Sequence, residues 1–181
     1  APLNAASELL EKISNGDLSE QLDESRYRGD FRTIVTNLNK VRNSLYNLQE
    51  DSMMLVQAAI AGNLSARANG NRHMGGYRDI IEGFNDTLDA ITTPIKEASI
   101  VLEEMSKGNL DIIMEGEYNG DHAVIKNALN HTLSSIRGYI VEISEILHEV
   151  SLGNLSVSID REYMGEFEKI RTSLNHSLNA F

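Results

Sequence analysis

Apolar residues recur every three or four positions along most of the chain. One stripe reads Leu3, Ala6, Leu10, Ile13, another Ile95, Ala98, Leu102, Met105, and another Ile140, Ile143, Leu147, Val150. A weaker version with the same spacing is Gln49, Ser52, Val56, Ala59. Such steps place side chains in one narrow helical seam, as in a coiled coil. Each stripe runs toward a Gly-Asp/Asn-Leu tripeptide beginning at Gly16, Gly62, Gly108 or Gly153. A second set of stripes follows: Tyr77, Ile80, Phe84, Leu88, Ile91, then His122, Ile125, Leu129, Leu133, Ile136, then Phe167, Ile170, Leu174, Leu178, Phe181. Its steps are three, four, four, three, and two successive fours form a stutter that locally unwinds a left-handed supercoil. The stutters centre on Phe84, Leu129 and Leu174. The first copy is irregular, with Phe31, Ile34 and Leu38 followed by Arg42 and Leu45.

The stripes belong to an internal repeat. The four tripeptide glycines are spaced by 46, 46 and 45 residues. A second mark is Asn39, Asn85, Asn130 and Asn175, each preceded by an apolar residue, and a third is a glycine ten positions before each Asn: Gly29, Gly75, Gly120 and Gly165. Three marks in register through four copies point to a modular array. The expected modules are 1–45, 46–91, 92–136 and 137–181. Pro2, Ala6, Leu10, Glu11 and Ser14 also match Pro94, Ala98, Leu102, Glu103 and Ser106 at an offset of 92, so the array reads as two copies of a two-module unit.

The spacing predicts an all-α fold. The second helix of each module continues into the next module's first helix, since Ile91 leads to Ile95 and Ile136 to Ile140 without a breaker other than Pro94, where a tolerated kink is expected. Within a module the helices are separated by a connector of about a dozen residues, whereas an antiparallel turn needs only about two to five. A dozen extended residues reach about 40 Å, enough to retrace a helix that rises about 24 Å. The connector is therefore expected to run back along the helices, so that both point the same way. Its apolar residues, Leu18 and Leu22, Leu64, Leu110 and Ile112, then Leu155, Val157 and Ile159, would pack on the helix pair. Asn-Gly at 15–16, 69–70 and 119–120 would supply turns. Gly16, Gly62, Gly108 and Gly153 are expected to end helices in left-handed caps, and the recurrent Asn amides to bond the returning connector. Two parallel helices cannot bury such seams alone, but two chains side by side can, as a parallel four-helix homodimer.

These residues resemble HAMP domains, the relay modules of chemoreceptors and sensor histidine kinases. The resemblance rests on the Gly-Asp/Asn-Leu connector opening, on the apolar-Asn pair, and on the acidic residue after the third-mark glycine (Asp30, Asp121 and Glu166, with Gly76 departing in the second module). Gly75-Gly76-Tyr77-Arg78-Asp79-Ile80-Ile81 through Leu88-Asp89-Ala90-Ile91 looks like the arrays of methyl-accepting chemotaxis proteins. The resemblance implies a parallel dimer that passes conformational change between adjoining input and output domains, in a cytoplasmic segment.

Composition narrows the chemistry. The net charge of −11 repels nucleic acid and anionic lipid, so neither is an expected partner. No apolar run approaches the ~20 residues that span a bilayer, and neither a signal peptide nor a transmembrane helix is recognised. With no Cys there is no disulfide or thiolate chemistry, which fits a reducing compartment. The histidines at 73, 122, 131, 148 and 176 lack metal-ligand spacing. His131 and His176 read as surface residues and His122, on the seam, as a buried neutral ring. Glu103-Glu104 and Glu115-Glu117 read as solvated carboxylates, Met53 and Met54 as core filler, and the Asn-x-Ser/Thr triplets as repeat marks rather than glycosylation sites. No catalytic residue, cofactor or metal is expected.

Two further readings compete with a chemoreceptor relay: the relay of a sensor histidine kinase, and a passive coiled-coil spacer. A spacer has no use for recurrent stutters and connectors, and an uninterrupted heptad would serve it better. A ligand-binding bundle lacks a convergent polar cluster. Small seam residues in the second module (Ser52, Ala59) against larger ones in the fourth (Ile143, Leu147, Phe167, Phe181) suggest that successive modules pack differently.

Overall fold

The computed structural model describes residues 2–180 and contains five α-helices, with no strand among the described residues. They are α1 (Pro2–Ser14), α2 (Gly29–Ile60), α3 (Gly76–Ser106), α4 (Gly120–Ser151) and α5 (Phe167–Asn179). Between them lie connectors 15–28, 61–75, 107–119 and 152–166. Two of these carry a short 3-10 turn, Glu24–Arg26 and Gly70–Arg72, capped by the side chains of Asp23 and Asn69. The Asn-Gly pair at 69–70 thus opens a 3-10 turn with no left-handed residue. Pro94 lies inside α3. The final seam position, Phe181, lies outside the described residues.

Each of the first four helices stops in the same way. Gly16, Gly62, Gly108 and Gly153 adopt φ of 81, 77, 87 and 87°. The N–H of the following Asp17, Asn63, Asn109 or Asn154 bonds the carbonyl five residues back, at 2.8–3.1 Å. The glycine N–H bonds the carbonyl three residues back. This pair of bonds is a Schellman closure, which satisfies carbonyls that the helix end leaves free and needs a left-handed residue.

The chain divides into two compact units, 1–92 and 93–181. In the first, Leu55 of α2, Ala68 of the connector and Ile81 of α3 form a core flanked by Leu48 and Leu88. Arg67 pairs with Asp89 at 2.5 Å, whereas Arg72, five residues on, pairs with Asp51 at 2.7 Å. The connector therefore leaves the end of α2 and travels back along it before α3 begins.

The second unit repeats the arrangement twice. Val101, Met114 and Leu133 make one core, with Leu110, Ile112 and Leu129 around it. Tyr139, Ile159 and Tyr163 make another, with Ile143, Ile146 and Leu174. Asp111, early in its connector, meets Arg137 midway along α4 at 2.8 Å, while Glu115 and Gly116 meet Glu97. In the first two of these cores one connector residue, Ala68 or Met114, is wedged between two helices, and in the third two connector residues, Ile159 and Tyr163, pack on Tyr139 of α4 beside Leu174 of α5.

Candidate functional site

Four asparagines clasp the connectors. Asn39 Oδ1 accepts the Leu22 N–H at 3.1 Å, and its Nδ2 donates to the Leu22 carbonyl at 2.9 Å. Asn85 holds Ala68 in the same two-bond manner at 3.0 and 2.9 Å, and Asn130 holds Met114 at 2.8 and 2.9 Å. Asn175 holds Ile159 at 2.9 and 3.0 Å. A carboxamide presents one acceptor and two donors at short reach, so it can take the place of a neighbouring strand for one peptide unit. Three of the clasped residues, Ala68, Met114 and Ile159, are buried core residues, while Leu22 is half-buried. The amide satisfies the N–H and C=O of a peptide unit that no neighbouring strand pairs.

A second contact ties the end of each of the last three connectors to the preceding helix. Glu97 accepts N–H groups of Glu115 at 2.6 Å and Gly116 at 3.1 Å, and the Tyr118 hydroxyl. The Tyr118 hydroxyl and the Gly116 N–H hold the Glu97 carboxyl below its usual range. At the corresponding place two residues before the third-mark glycine, Tyr163 stacks on Tyr139 with ring centroids 4.2 Å apart. Burial, together with the nearby Glu142 carboxylate, pushes the Tyr163 phenol up to about 12. In the second connector that place is held by His73, whose Nε2 lies 2.7 Å from Asp51 Oδ2.

The outer face of the helices is apolar and uncovered. Leu9, Leu55 and Val101 are buried within the chain, yet the residues that follow them, Leu10, Val56 and Leu102, are 49, 48 and 52 % exposed. Ile80, Phe84 and Ile91 of α3, and Ile125, Ile140 and Leu147 of α4, are exposed likewise. Every helix that flanks a connector thus has two apolar faces, one filled by its own connector and one facing outward. Of the stutter residues, Phe84 lies on the outward face, whereas Leu129 and Leu174 are half-buried beside the second unit's cores.

Several sequence expectations need correction. His122 is half-buried on the outward face, edge-on to Tyr118 at 6.5 Å, and is not a core ring. Met53 and Met54 are exposed, because the stripe that fills the core of α2 passes through Leu48 and Leu55. Leu155 is exposed, and its connector packs through Ile159. His131 and His176 are on the surface.

Sequence reasoning also missed features. The inner stripe of Leu9, Leu55 and Val101 went unread, although it repeats at steps of 46 one position before the seam. So did Ala68 and Met114, which sit at the same distance before the third-mark glycine as Leu22 and Ile159, give or take one residue. Gly29, Gly75, Gly120 and Gly165 have φ of 54–59°, a role not assigned to them. Among the described residues no group of three or more His, Cys, Asp or Glu could hold a metal ion, and no helix is long and apolar enough to cross a membrane.

Comparison with known families gives one match. The family model of the HAMP domain matches residues 1–47, 72–138 and 129–181. The unmatched stretch, 48–71, is where the seam carries Ser52 and Ala59 in place of larger residues. No curated protein matches the chain.

Proposed function

The chain belongs to the HAMP domain family, and we propose that it is a four-module relay, working as a parallel homodimer, that carries helix movement from an input domain to a chemoreceptor output. HAMP domains are signal-transduction relays, and the segment needs no catalytic group or cofactor for that work. The single observation that carries the reading is the pair of apolar faces on each helix. The connector fills one, and the other, running through Leu10, Val56, Leu102 and Leu147, is left for a second copy. A second copy is favoured because the outward stripe repeats with the modules, so a two-fold axis along the bundle would bring like stripes together at every module. The modules divide as 1–45, 46–91, 92–136 and 137–181, with α2, α3 and α4 each shared by two of them. The adjoining input and output domains are the remaining partners, in a cytoplasmic setting. Output through a histidine kinase uses the same relay and is the alternative context.

Relay further requires two arrangements of similar energy. The second module favours this, since Ser52 and Ala59 leave a groove of about 200 Å³ beside Val56, Phe84 and Leu88. Successive modules would then pack differently, with the stutters at Phe84, Leu129 and Leu174 joining them. The test is to lock one end of the array and read the other. A disulfide at Leu10→Cys should change the rate at which Leu147→Cys cross-links in the full chain, by several-fold. An unchanged rate contradicts the relay and leaves a spacer.

A further inference from the structure

Three of the four connectors place a tyrosine two residues before the third-mark glycine: Tyr27, Tyr118 and Tyr163. The second places His73 there. Its side chain is 1 % exposed and that of its partner Asp51 is 6 % exposed. The carboxylate bridges two connector residues, with Oδ2 at 2.7 Å from His73 Nε2 and Oδ1 at 2.7 Å from Arg72 Nη1. Arg72 also reaches Glu50 at 2.8 Å. From α3, Arg78 donates to the carbonyls of Gly70 and His73, and Glu82 packs beside Gly70. The charged groups around the ring are therefore Glu50 and Asp51 from α2, Arg72 from the connector, and Arg78 and Glu82 from α3.

We propose that His73 and Asp51 form a proton-operated latch, which grips the second connector onto α2 more firmly when the imidazole carries its second proton. The Asp51 carboxylate already faces the Arg72 guanidinium, and a cationic ring gives it a second positive partner. Protonation also turns a neutral N–H···O⁻ contact into an ion pair with a hydrogen bond between charged partners, the stronger kind. Histidine is the side chain whose charge ordinarily changes between about pH 5 and 8, and a phenol's does not. The other three connectors carry no histidine, so among the connectors His73 alone brings such a group. The latch lies within a single unit and stands whether or not the chain relays a signal.

Hydrogen exchange on the full chain, corrected for intrinsic rates, tests it at about pH 5.5 and pH 8. Amides of connector 61–75 should be protected about fivefold more at the lower pH, the factor expected when a neutral hydrogen bond becomes charge-assisted. Connectors 15–28, 107–119 and 152–166 should show no such change. His73→Tyr should abolish the difference, and so should Asp51→Asn, which keeps an acceptor and removes the charge. Should either variant fail to fold, ring nitrogen shifts of His73 in the unaltered chain decide: two bound protons at pH 5.5 and one at pH 8 support the latch. A pH-independent connector 61–75, a difference that persists in His73→Tyr, an equal shift in all four connectors, or a ring with one protonation state throughout would overturn it.

Discussion

Replacing Asn130 by Ala removes both bonds of one clasp while leaving α4 a good helix former in its place. The clasped residue, Met114, is fully buried between Val101 and Leu133. Its N–H and C=O bond the Asn130 amide at 2.8 and 2.9 Å, and the truncation offers neither a substitute. An unsatisfied buried polar group costs about 1–3 kcal/mol. Water can enter partway at a connector, which places the expected loss for the two groups at about 2–4 kcal/mol. Asn130→Asp should behave nearly as badly, since a carboxylate can accept the Met114 N–H but repels its carbonyl. The assay is urea unfolding of the full chain, read as two transitions if the two units melt separately. The loss should fall in the transition of residues 93–181, accompanied by faster exchange of the Met114 amide. A loss below about 0.5 kcal/mol, with the Met114 amide still protected, would refute the clasp as a stabilising contact.

Other outcomes follow from the same geometry. Gly108→Val and Gly153→Val should each cost about 1–3 kcal/mol in thermal or urea melts. A Cβ at either glycine meets nothing within 4 Å, so the cost is backbone strain at φ 87° and Gly→Asn should recover part of it. The Glu97 clasp should respond to acid. Its folded carboxyl sits below the ordinary value of 4.5, so its stabilisation is complete above that pH and is lost as pH falls through the folded value. Exchange of connector 107–119 should accelerate over that window, and Glu97→Gln should flatten the response. Leu102→Glu should keep the proposed dimer from forming while leaving helix content unchanged, since the residue it replaces is exposed in the single chain.

Much of the architecture was legible because its signals repeat. The helix period, the tripeptide glycines and the Asn positions recur at fixed spacing, and each has a physical reading: seam, helix stop, amide donor and acceptor. The inner stripe of Leu9, Leu55 and Val101 was harder to read. On a helix it lies next to Leu10, Val56 and Leu102, and periodicity alone cannot separate an apolar residue facing its own connector from one facing outward. The clasped Ala68 and Met114 escaped for a related reason, since an extended segment packed against helices has no period of its own. The His73–Asp51 pair depends on residues 22 apart meeting through the returning connector. Only the fold brings them together.

The most direct test of the central claim is oxidative cross-linking of the full chain carrying one cysteine at a time at Leu10, Val56, Leu102 or Leu147, with light scattering alongside. The account predicts a particle of twice the 20.1 kDa chain mass. It also predicts that each cysteine bonds its own counterpart rapidly, because a parallel two-fold dimer brings identical outward positions together. A folded monomer, or bonding between Leu10→Cys and Leu147→Cys in mixed dimers in preference to like positions, would contradict it.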